Sequence, residues 1–103
     1  MSIVGWHMGN VNPPTETDWR ILEAVPPGCV VFLPDEGIQP EHLRRLLDIS
    51  PDVQIIMRPY YIPGSDLQPY IDQCRRAMDR YWAAVPPSQR HLQVFNEQNM
   101  PKW

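Results

Sequence analysis

The chain has little of what would tie a protein to nucleic acid, a lipid surface or an oxidising compartment. Nine Lys and Arg against twelve Asp and Glu give a formal net charge of −3, and the basic residues form no stripe. Nucleic acid and anionic membrane are therefore not expected as partners. No apolar run nears the ~20 residues of a membrane span. Met1-Ser2 leads directly into an apolar segment without a basic leader or cleavage site, so no signal peptide is expected. Only two cysteines occur, and Cys29 and Cys74 have neither metal nor redox spacing. The expectation is two buried free thiols and, by default, a reducing cytoplasmic compartment.

Proline, by contrast, is abundant, at 13 of 103 residues. Most prolines fall at joints: Pro13-Pro14, Pro26-Pro27, Pro40, Pro51, Pro59, Pro63, Pro86-Pro87 and Pro101. Proline fixes φ and biases the residue before it away from helix, so the sequence marks its own boundaries. With 43% apolar and 20% charged residues, 1–103 reads as one globular domain.

Four short runs rich in β-branched or aromatic residues predict strands: Ile3 to Trp6, Val30 to Leu33, Val53 to Arg58 and Leu92 to Asn96. Each gap has room for a helix, as in βα units. A first helix is predicted from Glu16 to Val25, with Thr15 as N-cap, Asp18 at N3, and Trp19, Leu22 and Val25 as its apolar stripe. A second runs from Pro40 to Ile49, with proline at the first helical position and Leu43, Leu46 and Leu47 inward. A third runs from Leu67 to Val85. Asp66 is preferred over Ser65 as its N-cap, because Pro69 then sits at N3, where no intrahelical donor is lost. Met78, Tyr81 and Trp82 read as core packing.

The third and fourth strands also align with each other. Gln54-x-Ile56-x-Arg58 matches Gln93-x-Phe95-x-Glu97, and alternation puts each set on one face. A face covered only by helices would not hold Gln54 or Gln93. The interior of a barrel, layered and open at its ends, could. The fold class expected is therefore α/β: a parallel βα half barrel of four strands and three helices.

Polar and aromatic residues cluster after the strands, which in a parallel sheet is one rim. They are Trp6, His7 and Asn10, then Asp35 and Glu36, then Arg58, Tyr60 and Tyr61, then Asn96 and Glu97. Aromatic faces beside carboxylates and amides suit a sugar, whose apolar face stacks while its hydroxyls find polar groups. Asp35 and Glu36 read as a solvated acid pair rather than a metal site. His91 is expected at the opposite end of the sheet from His7, so that the two share no metal. No metal or cofactor is expected.

Phe95-Asn96-Glu97-Gln98-Asn99, at the end of a fourth βα strand, resembles the Asn-Glu motif of clan A glycoside hydrolases, retaining enzymes built on a (β/α)8 barrel. The resemblance spans the chain as the N-terminal half of such a barrel. It implies that Glu97 is the catalytic acid/base and that Asn96 binds the sugar hydroxyl beside the reacting carbon. Arg58, Trp6, His7 and Tyr60 would be the supporting substrate-binding residues on the rim. The family draws its nucleophile from a seventh strand, and the four strands here supply none.

A half barrel leaves two open edges, which pair with whatever fits. Two copies joined edge to edge would close an eight-stranded barrel, so a homodimer is expected, with carbohydrate as its ligand. The alternative expectation is a non-catalytic barrel scaffold that assembles and binds sugar.

Overall fold

The computed structural model describes residues 5–8, 13–34, 37–61 and 64–94. Its elements are β1 (Gly5–Met8), α1 (Glu16–Ala24), β2 (Cys29–Phe32), α2 (Pro40–Ile49), β3 (Gln54–Met57), α3 (Leu67–Tyr81) and β4 (Arg90–Leu92). Short 3-10 turns at Trp82–Ala84 and Pro87–Gln89 join α3 to β4. The α/β expectation of four parallel strands and three helices is met.

Local chemistry sets the helix ends. Thr15 Oγ1 accepts from the Asp18 amide at 3.2 Å, and Asp18 Oδ2 accepts from the Thr15 amide at 2.8 Å. This reciprocal box satisfies two amides that a helix start leaves without partners. Pro40 opens α2, and His42 Nδ1 accepts from the Gln39 amide at 2.9 Å. Asp66 is the N-cap of α3, but its carboxylate makes no capping bond. Trp19 and Leu22 of α1, Leu43 and Leu46 of α2, and Tyr81 of α3 are buried, as their spacing predicts. Val25 departs from its predicted stripe: as the residue that ends α1 it is 48% exposed.

The sheet order is β1-β2-β3-β4, every pair parallel. Crossovers between parallel strands are right-handed. Because each crossover here steps the same way across the sheet, each puts its helix on the same face. The core agrees. Val30, Phe32, Ile55 and Met57 are fully buried and cluster with Trp19, Leu22, Leu43, Leu46, Ala77 and Tyr81 from the three helices. The alternate residues Cys29, Val31, Gln54 and Ile56 face the other way and are only half-buried. One face of the sheet is thus a packed core and the other lies open.

The strands do not keep the bounds of their apolar runs. Among the described residues β1 runs past Trp6 to Met8, and β4 starts at Arg90, with Arg90 beside Ile55 and Leu92 beside Met57. In a ladder a residue belongs to a strand only where a neighbour meets it, so β3 sets the start of β4. Side-chain ties hold that start in place. Gln89 Nε2 donates to Pro51 O at 2.9 Å and to Val53 O at 2.8 Å. Arg90 Nε donates to Val85 O at 2.7 Å, and its Nη2 donates to Trp82 O at 2.8 Å. Ser50 Oγ donates to Pro27 O at 2.6 Å, tying the α2 and α1 exits together. All these ties lie at the N-terminal ends of the strands, the end that stabilises a βα barrel rather than the end that does its chemistry.

Candidate functional site

The open face is organised in rows by the strand register. The lowest row holds Gly5, Cys29 and Gln54, and the next holds Val31, Ile56 and His91, level with the backbone of His7. Gln54 reaches across to β4, where His91 Nε2–H donates to its Oε1 at 2.6 Å. Below this pair lies a cavity of about 860 Å³, lined by Cys29, Gln54, Ile56, His91 and Gln93 among others. The polar residues predicted to require a barrel interior do stand on the uncovered face.

The register also corrects the placement of the histidines. His7 and His91 are not at opposite ends of the sheet; their backbones occupy one row, on the two edge strands. Three strand spacings of ~4.8 Å separate them by roughly 14 Å, still too far to share a metal within one chain. Among the described residues no group of His, Cys, Asp or Glu could hold a metal ion.

At the C-terminal rim the ladder runs one residue past β3, since the Arg58 amide donates to Phe32 O at 3.0 Å. Arg58 follows Gln54 and Ile56 in alternation and so belongs to the open face. It is half-buried, and its Nε is enclosed with no hydrogen-bond partner among the described residues. The Gln93 amide donates to Met57 O at 2.9 Å, so Gln93 is the β4 residue level with Arg58. The sequence repeat, which sets Gln93 against Gln54, is therefore not the spatial register.

Tyr60 follows on the same rim and is 52% exposed. Trp6 takes a different position. It is level with Val30, on the helix-covered side, and packs against the core. The backbone of His7 is level with Val31. Asn96 and Glu97, with Asn10, Asp35 and Glu36, lie outside the described residues. The structure thus puts Arg58 and Tyr60 at the end of β3 and packs the Trp6 ring against the core.

Neither thiol forms a disulfide. Cys74 is buried in α3, and burial pushes its pKa up, partly countered by a hydrogen bond with Tyr70. A thiol kept protonated in this way is a poor nucleophile. Cys29 differs from expectation: it lies half-buried on the open face. Sequence reasoning did not find the Gln54–His91 pair. Half of its signal was present, as polar Gln54 within an apolar strand; His91 precedes the apolar run predicted as the fourth strand.

No helix among the described residues is long and apolar enough to cross a membrane. No protein-family model, curated protein or solved structure matches the chain.

Proposed function

We propose that this chain is one half of a (β/α)8 barrel of the glycoside hydrolase type, closed by a second copy of itself, with its sugar site at the C-terminal rim. The observation that supports this most is the singly wound sheet. Its four strands run in chain order, all its helices lie on one face, and half-buried apolar residues line the other. Sheets wound in both directions carry helices on both faces. A sheet wound in one direction curls away from its helices and is completed by closing on itself. Two copies in the order β1 to β4 and again β1 to β4 would supply eight strands and leave no edge.

In this reading Glu97 is the general acid that protonates the leaving oxygen and then the base that activates water. Asn96, Arg58 and Tyr60 contact the sugar, with His7 nearby on the first strand. Retaining hydrolysis also needs a second carboxylate about 5 Å from the first. In a two-fold barrel the seventh strand is β3 of the second copy, and the ladder there ends on Arg58, a permanent cation. That observation favours a second reading, in which the assembled barrel binds sugar without cleaving it.

Two measurements separate these readings. Sedimentation equilibrium should give twice the 12.0 kDa chain mass at micromolar concentration, and a stable monomer would refute closure by a second copy. A chromogenic glycoside assay beside a glycan-binding screen decides between catalysis and binding. Hydrolysis that Glu97→Gln leaves unchanged would sink the acid/base assignment.

A further inference from the structure

The helix layer has an apolar flank at each of its two ends. α2 is the middle helix and is tied on both sides. Arg45 Nη1 donates to Glu16 Oε1 of α1 at 3.4 Å, and Trp19 of α1 lies beside His42 with ring centroids 6.2 Å apart. Arg80 of α3 donates to Gln39, and the buried Tyr81 hydroxyl donates to Ile38 O, both at the start of α2. The flanks of α1 and α3 that turn away from α2 are apolar. Apart from Tyr60, every exposed large apolar side chain among the described residues lies there: Ile21 and Val25 at α1, Leu67 on α3, and Val94 beyond β4.

Helix geometry accounts for both flanks. Ile21 is two residues from Trp19, about 200° around the helix, and so faces away from α2. Val25 follows one turn later, on the same side. On α3, Met78 stands in the same relation to Arg80. Leu67, Ile71, Cys74 and Met78 recur at helical spacing and, with Arg75 and Val94, line a cavity of about 300 Å³. We infer that this groove is a second layer of contact between two copies of the chain: α1 of one copy packs along α3 of the other, outside the seam where β4 meets β1. This contact presupposes closure by a second copy, but neither a role for Glu97 nor any sugar.

Order round the closed barrel supports this. The first described helix past α3 is α1 of the other copy. Two-fold symmetry gives each seam one flank of each kind, so one pair of surfaces serves both seams. The charges are complementary as well. α1 carries Glu16, Asp18 and Glu23 against Arg20, whereas α3 carries Arg75, Arg76 and Arg80 against Asp72 and Asp79. An acidic helix beside a basic one steers the encounter and disfavours the wrong pairing of α3 on α3. Joining the flanks also takes Ile21, Val25 and the α3 stripe out of water. Direct packing needs the two axes to close to about 8–10 Å, whereas a vacant helix position between them would hold them roughly twice as far apart.

Sedimentation equilibrium on the whole chain tests the contact through a charge exchange. Ile21→Lys sets a cation on the α1 flank facing Arg75, and Arg75→Glu sets an acid on the α3 flank facing α1. Each should raise the dimer dissociation constant about tenfold or more. The two together in one chain should recover most of that loss, to within about threefold of the parent. Arg44→Glu makes the same charge change on the exposed side of α2, away from the seam, and should leave the constant unchanged. Ile21 and Arg75 are both exposed, so neither substitution should disturb folding; circular dichroism checks this. The contact is refuted if either single variant dimerises like the parent, if the double variant is no tighter than the singles, or if Arg44→Glu weakens the dimer as much as Arg75→Glu. A dimer that Ile56→Asp breaks but Ile21→Lys and Arg75→Glu leave intact would overturn the helix contact and keep barrel closure. A monomeric parent chain would overturn both.

Discussion

Two adjacent isoleucines on β3 should answer opposite questions when each is changed to aspartate. Ile55 is fully buried under the helices, whereas Ile56 points to the open face and is half-buried. Ile55→Asp removes a side chain whose burial is worth about 1.5–3 kcal/mol. It also places a carboxyl in an apolar core at a further cost of several kcal/mol. The sum, roughly 5 kcal/mol or more, rivals the 5–15 kcal/mol that holds a domain of this size together. This variant should be unfolded, or nearly so, by circular dichroism at room temperature. Ile56→Asp takes only a half-exposed side chain from the single chain, a loss of about 1 kcal/mol, and should still unfold cooperatively in urea. Its effect should fall on assembly. In a closed barrel the Ile56 row is interior, so a two-fold dimer would bury one introduced carboxyl from each copy. At several kcal/mol for each, the dissociation constant should rise about a thousandfold or more. Sedimentation equilibrium across a concentration series reads this directly. If Ile56→Asp unfolds as completely as Ile55→Asp, the face is not open. If it folds and dimerises like the parent, the copies do not meet through this face.

Tyr81 is fully buried, and its hydroxyl donates to Ile38 O at 2.7 Å, so Tyr81→Phe strands a buried carbonyl and should cost about 1–3 kcal/mol in urea unfolding. Thr15→Ala breaks the reciprocal cap of α1 and should cost about 1 kcal/mol by the same assay, with Thr15→Ser close to the parent. Burial holds the folded Cys74 pKa above its ordinary 9.0. The unfolded chain therefore releases this proton first, and the stability linked to it, complete below pH 9.0, declines as pH rises through the folded value. Cys74→Ser should flatten that alkaline decline in a series of urea melts. Cys29 lies on the open face, so iodoacetamide should label it in dilute protein, and concentration should protect it if two copies close over it.

The helices were the most legible part of the chain. α2 occupies Pro40–Ile49 as predicted, because a proline start and a leucine stripe are signals carried by the residues themselves. Thr15 and Asp18 marked α1 in the same way, through a bond three residues long. The strands were legible as apolar runs but not in extent. Leu92 to Asn96 reads as the fourth strand on composition, yet pairing begins at Arg90, where Ile55 is available as a neighbour. That shift carried over to the site. Trp6 reads as a rim residue only if the first strand ends there; once the strand runs on to Met8, its ring falls level with Val30 and joins the core. Gln54 was correctly suspected of facing away from the helices, but its partner His91 could not be named, because their contact spans 37 residues of sequence.

Composition, proline punctuation and helical periodicity determined by themselves the α/β pattern of four short strands and three helices seen among the described residues, since those signals act over one or two turns of backbone. Tertiary structure alone decided which residues share a row, that every helix lies on one side, and that Arg58 stands beside Gln93. The reason is periodicity: a strand repeats every two residues, so a one-residue change in pairing exchanges its two faces, and only the neighbouring strand fixes that choice.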